Sequence, residues 1–222
     1  NENKYLPTDL IQQLSLKRNG KNINLCIAAF TGAIQEINQT IKDTDKILIL
    51  RDHSYIDFFT GPIPRRNSIL SETLSAKNVL HRLFTVRHPL DSWLSLKENK
   101  WNKDIQINSF DEYCSRVKNM INSMKNVPLI HYEEFCIKPV SVFKIICENL
   151  KIPFDESFLK KFNMIKLSGD SGRKGDDIEP RERRTLSEDL KKCIYDSKNY
   201  IDICNKLNYE YKYNATFPYL TN

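Results

Sequence analysis

Three short apolar runs each stop at a polar cluster, and this recurrence narrows the fold more than any other feature of the chain. They are KILIL at 46–50, LFTV at 83–86 and VPLIH at 127–131, followed by Arg51-Asp52-His53, Arg87-His88 and Tyr132-Glu133. Apolar and β-branched runs of this length suit interior strands of a parallel sheet, which are covered on both faces. Stretches with helical spacing alternate with them. Ile34, Ile37 and Ile41 predict a helix over 32–43, and a short one is expected over 70–77. Tyr113, Val117 and Ile121 fall in step within 110–124, and Val142, Ile146 and Leu150 share a face after Pro139. Residues 155–165 and 186–207 read as further helices, and 60–66 and 166–184 as loops. The pattern predicts an α/β fold, a mostly parallel sheet flanked by helices. With no internal repeat and no clear linker, residues 1–222 read as a single domain. Ligands of such sheets sit outside the carboxyl ends of the strands, where the three polar clusters fall.

The stretch LHRLFTVRHPLDSWLSL, residues 80–96, carries the most chemistry. The apolar run ends in Arg87, a charge that is not buried alone. Pro89 suits the first position of a helix, and Trp93, Leu94 and Leu96 give that helix an apolar face. Ser92 and Ser95 lie on its first turns. An arginine and hydroxyls beside a helix N-terminus form a seat for a phosphate. The plainer alternative is an arginine that ends a strand before an ordinary amphipathic helix.

A net charge of +6 and a pI near 8.9 favour anionic ligands without arguing for nucleic acid, since basic and acidic residues are interspersed. No apolar run approaches the roughly 20 residues of a membrane span. The six cysteines (Cys26, Cys114, Cys136, Cys147, Cys193 and Cys204) form no CxxC pair and lie mostly in apolar contexts, so free thiols and a reducing, cytoplasmic setting are expected.

Residues 46–184 also resemble sulfotransferases that use 3′-phosphoadenosine 5′-phosphosulfate (PAPS). TVRHPLDSWLSL is similar to the family's 3′-phosphate motif, with Arg87 at a strand end, Pro89, and Ser95 eight residues after the arginine. LILRDHSYIDFFTG, residues 48–61, looks like the strand that ends in a catalytic His. The stretch LIHYEEFCIKPVSVFKIICENLKIPFDE, residues 129–156, resembles the Tyr-Glu segment and its Pro-initiated helix. SGDSGRKGDDIEPRERR, residues 168–184, resembles the late loop that closes over the nucleotide. The four matches run in the family's order.

The resemblance implies a P-loop nucleoside-triphosphate-hydrolase-like architecture and transfer of a sulfuryl group from PAPS to a hydroxyl or amine, with no metal. His53 would be the base, Arg87 and Ser95 would hold the 3′-phosphate, and Arg173 with Ser171 and Gly172 would add contacts. The acceptor would be a carbohydrate, lipid, small molecule or protein. Read without the resemblance, His53 is a turn histidine and Arg173 a solvated charge. Asp52 would orient His53 or pair with Arg51, Tyr132 and Glu133 would brace the sheet or touch ligand, and Arg181, Arg183 and Arg184 read as a solvated run or as a receiver for an anionic acceptor. The family's Ser-Gly-Thr loop for the 5′-phosphosulfate has no counterpart here and is expected upstream of Asn1. A nucleotide kinase, which would need a GxxxxGK[ST] loop, and a non-catalytic anion-binding module remain as alternatives.

Overall fold

The computed structural model describes residues 23–52, 54–61, 65, 67–75, 78–100, 102, 107–162, 164 and 177–213. Contacts divide the chain into two units, Asn1–Phe58 with Arg65–Leu80 and Phe59–Pro64 with His81–Asn222.

In the first unit, helix α1 spans Ile23–Ile41 and begins well before the expected 32. Phe30 and Ile34, one helical turn apart, are buried against Leu70 and Leu74 of α3, Ile69–Ser75. Helix α2, Ser54–Phe59, supplies Asp57, whose carboxylate accepts the Ile69 N–H at 2.9 Å and so caps α3. Burial pushes the Asp57 carboxyl up to about 6. The expected strand at 46–50 does not form. Leu48 and Leu50 pack against the Phe30 cluster, whereas Ile47 and Ile49 are 55% and 62% exposed. The alternation shows an extended segment with one covered face and no ladder partner among the described residues.

The second unit holds strands β1, Phe84–Val86, and β2, Leu129–His131. They pair in parallel with Phe84 opposite Leu129, Thr85 opposite Ile130 and Val86 opposite His131. Among the described residues this two-stranded sheet stands in place of the larger one expected, so the fold is mixed α/β and mainly helical. Each strand runs directly into helix. Pro89 opens α4, Pro89–Glu98, at the position where its missing N–H costs nothing. Tyr132 opens the short α6, Tyr132–Ile137, and Pro139 opens α7, Pro139–Leu150. Lys151, in a left-handed conformation with φ 55°, ends α7. Helix α5, Phe110–Ser123, lies between β1 and β2 in sequence and starts at Ser109, whose hydroxyl accepts the Glu112 N–H at 3.1 Å. Only Phe158–Lys161, α8, is helical within the described part of 155–165.

The single helix expected at 186–207 is two, α9 at Glu188–Asp196 and α10 at Lys198–Lys206. Ser197 breaks it: its backbone is extended and its hydroxyl accepts the Tyr200 N–H at 3.1 Å, restarting the helix. Helices α4, α5 and α10 meet around an aromatic core. The Trp93 ring lies 5.3 Å from Tyr113, and Phe110 lies 5.2 Å from Tyr200. The Arg116 guanidinium is buried beside this core and donates to the carbonyls of Phe59 and Gly61 and to the Glu112 carboxylate. Cys114, Cys136, Cys147 and Cys204 are buried free thiols and Cys193 is an exposed one. No helix among the described residues is long and apolar enough to cross a membrane.

Candidate functional site

Parallel pairing brings the ends of β1 and β2 together, and with them Arg87 and Tyr132. The Arg87 guanidinium lies over the Tyr132 ring, 5.2 Å from its centroid. Arg87 is half-buried, and no ion pair among the described residues includes it. The one carboxylate beside Tyr132 in sequence, Glu133, is spoken for elsewhere: it accepts the His88 N–H at 2.9 Å and the Tyr209 hydroxyl. Arg87 and Tyr132 line an open pocket of about 380 Å³ whose other lining is largely apolar, from Ile130, Phe135, Phe143 and Ile146. Cys136 lies one turn on and acts on the Tyr132 hydroxyl. Burial raises the Tyr132 phenol above its usual range, and the charges of Arg181 and Arg87 pull it back. Two cations thus act on one ring at the carboxyl end of the sheet.

Behind Arg87 lies a buried polar cluster. His88 is fully buried and caps α4, its Nδ1 accepting the Leu90 N–H at 3.3 Å. Its Nε2 is 3.1 Å from the Glu210 carbonyl, which assigns the proton to Nε2. Arg183 Nη2 is 3.0 Å from Nδ1 and donates to it. The same guanidinium grips Asp91, with Nε at 3.2 and 3.1 Å from the two carboxylate oxygens and Nη2 at 2.8 Å. Burial, and then the Arg183 charge, hold the His88 imidazole down to about 4, against an opposing pull from Asp91. Burial pushes the Glu133 carboxyl up, and the hydrogen bonds from His88 and Tyr209 offset part of that rise. The Tyr209 ring packs edge-on 4.9 Å from His88.

The sequence-derived site residues fare differently. Arg87 directly follows β1. Ser95 lies on α4, half-buried, with its carbonyl accepting the Asn99 N–H and side-chain amide; it does not line the Arg87 pocket. His53, Ser171, Gly172 and Arg173 lie outside the described residues. Asp52, in the first unit, accepts a hydrogen bond from Ser68, whose hydroxyl also accepts the Ser71 N–H, so it braces the start of α3. Glu133 braces the sheet end. Arg183 and Arg184 do not form a solvated run: Arg183 is buried on Asp91, and Arg184 pairs with Glu98. Sequence reasoning missed the joining of His88 and Asp91 to Arg183 and of Glu133 to Tyr209, because these partners lie 92 and 76 residues apart, or more, along the chain. The acidic residue in the first turn of α4 was the one local signal.

No protein-family model, curated protein or solved structure matches the chain.

Proposed function

We propose that this chain is a PAPS-dependent sulfotransferase of the P-loop-like architecture. The observation that carries the reading is the condition of Arg87: a half-buried guanidinium at the carboxyl end of a parallel strand, stacked on Tyr132, with no carboxylate paired to it among the described residues. Asp91, four residues on, and Glu133, whose carboxyl the Arg87 charge also lowers, are each hydrogen-bonded to other donors. A cation left open in that place, ahead of a Pro-initiated helix carrying Ser92 and Ser95, is suited to an anion. In this reading Arg87 and Ser95 hold the 3′-phosphate and so tell PAPS from nucleotides that lack it. Ser171, Gly172 and Arg173 add contacts from the late loop. The acceptor oxygen or nitrogen forms a bond to sulfur while the bond from sulfur to the bridging oxygen breaks. His53 takes the acceptor's proton, and adenosine 3′,5′-bisphosphate leaves.

Calorimetry on the full-length protein tests the assignment. Adenosine 3′,5′-bisphosphate is expected to bind more tightly than adenosine 5′-phosphate, and Arg87→Ala to remove most of the difference. A charged hydrogen bond to phosphate contributes roughly 1.5–3 kcal/mol, about tenfold or more in affinity. Equal affinity of the wild type for the two nucleotides overturns the reading.

A further inference from the structure

We propose that Asp91 and Arg183 are positioning residues for Arg87, an inference that rests on reading Arg87 as the 3′-phosphate ligand. The Arg183 side chain is 1% exposed and that of Asp91 6% exposed, so the pair is almost entirely withdrawn from water. A buried pair of this kind is seldom the most stable filling for its space, since apolar residues of similar volume do as well or better. Its geometry gives it another use. Arg183 joins two groups on the chain just past Arg87: the Asp91 carboxylate in the first turn of α4 and the His88 ring. His88, the next residue after Arg87, is then held at three points, through its N–H on Glu133, its Nε2 on the Glu210 carbonyl and its Nδ1 under Arg183. With residue 88 fixed in this way, the backbone direction from which the Arg87 side chain departs toward Tyr132 is fixed as well.

Charge gives the pair a second effect. Asp91 lies four residues after Arg87 in sequence, and a bare carboxylate there would compete for the Arg87 guanidinium and repel an incoming phosphate. Arg183, itself buried, neutralises it.

The test uses the full-length protein and the affinity ratio of adenosine 3′,5′-bisphosphate to adenosine 5′-phosphate. A purely structural pair would alter stability and leave this ratio alone. Asp91→Asn strands a buried cation and is prone to unfold, so the double variant Asp91→Leu/Arg183→Met, which keeps the volume and removes both charges, is measured beside it. Variants are compared once circular dichroism shows the native fold. The expected result is a roughly tenfold fall in bisphosphate affinity, the worth of one misdirected charge-assisted hydrogen bond, with adenosine 5′-phosphate affinity unchanged. A folded double variant with the wild-type ratio overturns the positioning role while Arg87→Ala still loses its preference and the reading of Arg87 stands. A wild type with no preference, or an Arg87→Ala variant that keeps one, overturns the reading of Arg87 and the positioning role together.

Discussion

The donors around His88 suit a neutral imidazole. Nε2 carries a proton toward the Glu210 carbonyl, and Nδ1 accepts from both the Leu90 N–H and Arg183. Burial and then the Arg183 charge oppose a second proton, and they outweigh the Asp91 carboxylate 3.3 Å from Nδ1, so the group is held at about 4 against an ordinary 6.5. Histidine NMR signals assigned by a His88→Gln variant should therefore show one imidazole with a midpoint near 4. Between pH 6.5 and 4 the unfolded chain binds a proton at this residue that the native chain refuses. Stability thus falls as pH drops through that window, by up to about 3 kcal/mol at its lower end. Asp57 works in the opposite sense, its raised carboxyl favouring the folded chain most below pH 3.8 and losing that effect as pH rises through about 6. The comparison that isolates His88 is the pH slope of wild type minus that of His88→Gln, and parallel slopes would refute the assignment. At this scale the sequence made Arg87 readable, because a lone charge ending an apolar run is a local signal. It left His88, Asp91 and Arg183 unread, because burial and pairing across more than 90 residues leave no local trace.

At the scale of elements, the serines that start helices differ in what they touch, and the difference sets their worth. Ser187 is exposed and its hydroxyl accepts only the Leu190 N–H, at 3.3 Å. Ser197 is buried; it caps α10 through Tyr200 and donates to the Asp111 carboxylate of α5 at 2.6 Å. Ser187→Ala should cost about 1 kcal/mol, a lost cap. Ser197→Ala should cost about 2–3 kcal/mol, because a hydrogen bond to a charged group goes with the cap. Urea denaturation of the two variants checks the order, and equal costs would refute it. Starts of helices marked by Pro89 and Pro139 were legible, since proline's fixed φ needs no tertiary context. The break at Ser197 was not, because the apolar spacing continues across it and a capping serine in mid-run looks like any polar helix residue. KILIL misled for a related reason. A continuous apolar run reports hydrophobicity on both faces, but only Leu48 and Leu50 found a surface to cover.

For the whole molecule the rival to a specific phosphate site is simple charge. A chain with net charge +6 attracts any anion, and adenosine 3′,5′-bisphosphate carries more negative charge than adenosine 5′-phosphate. A preference for the bisphosphate at low salt would therefore follow from either cause. The two differ in range. Attraction by the summed charge acts over many ångströms and is largely screened once the Debye length falls to about 3 Å near 1 M salt. A hydrogen-bonded contact with a half-buried guanidinium acts at contact distance and is screened much less. Raising NaCl from about 0.05 M to about 1 M should weaken both nucleotides. If Arg87 binds the 3′-phosphate directly, the wild-type ratio of affinities should survive at several-fold above unity, and Arg87→Ala should bring it close to unity at high salt. Removing one surface cation elsewhere, as in Lys125→Ala on an exposed residue, changes the net charge equally and should leave the high-salt ratio untouched. A wild-type ratio that collapses to unity with salt, in step with Arg87→Ala, would mean that the molecule's net charge attracts the nucleotide and that Arg87 has no part in recognising the 3′-phosphate.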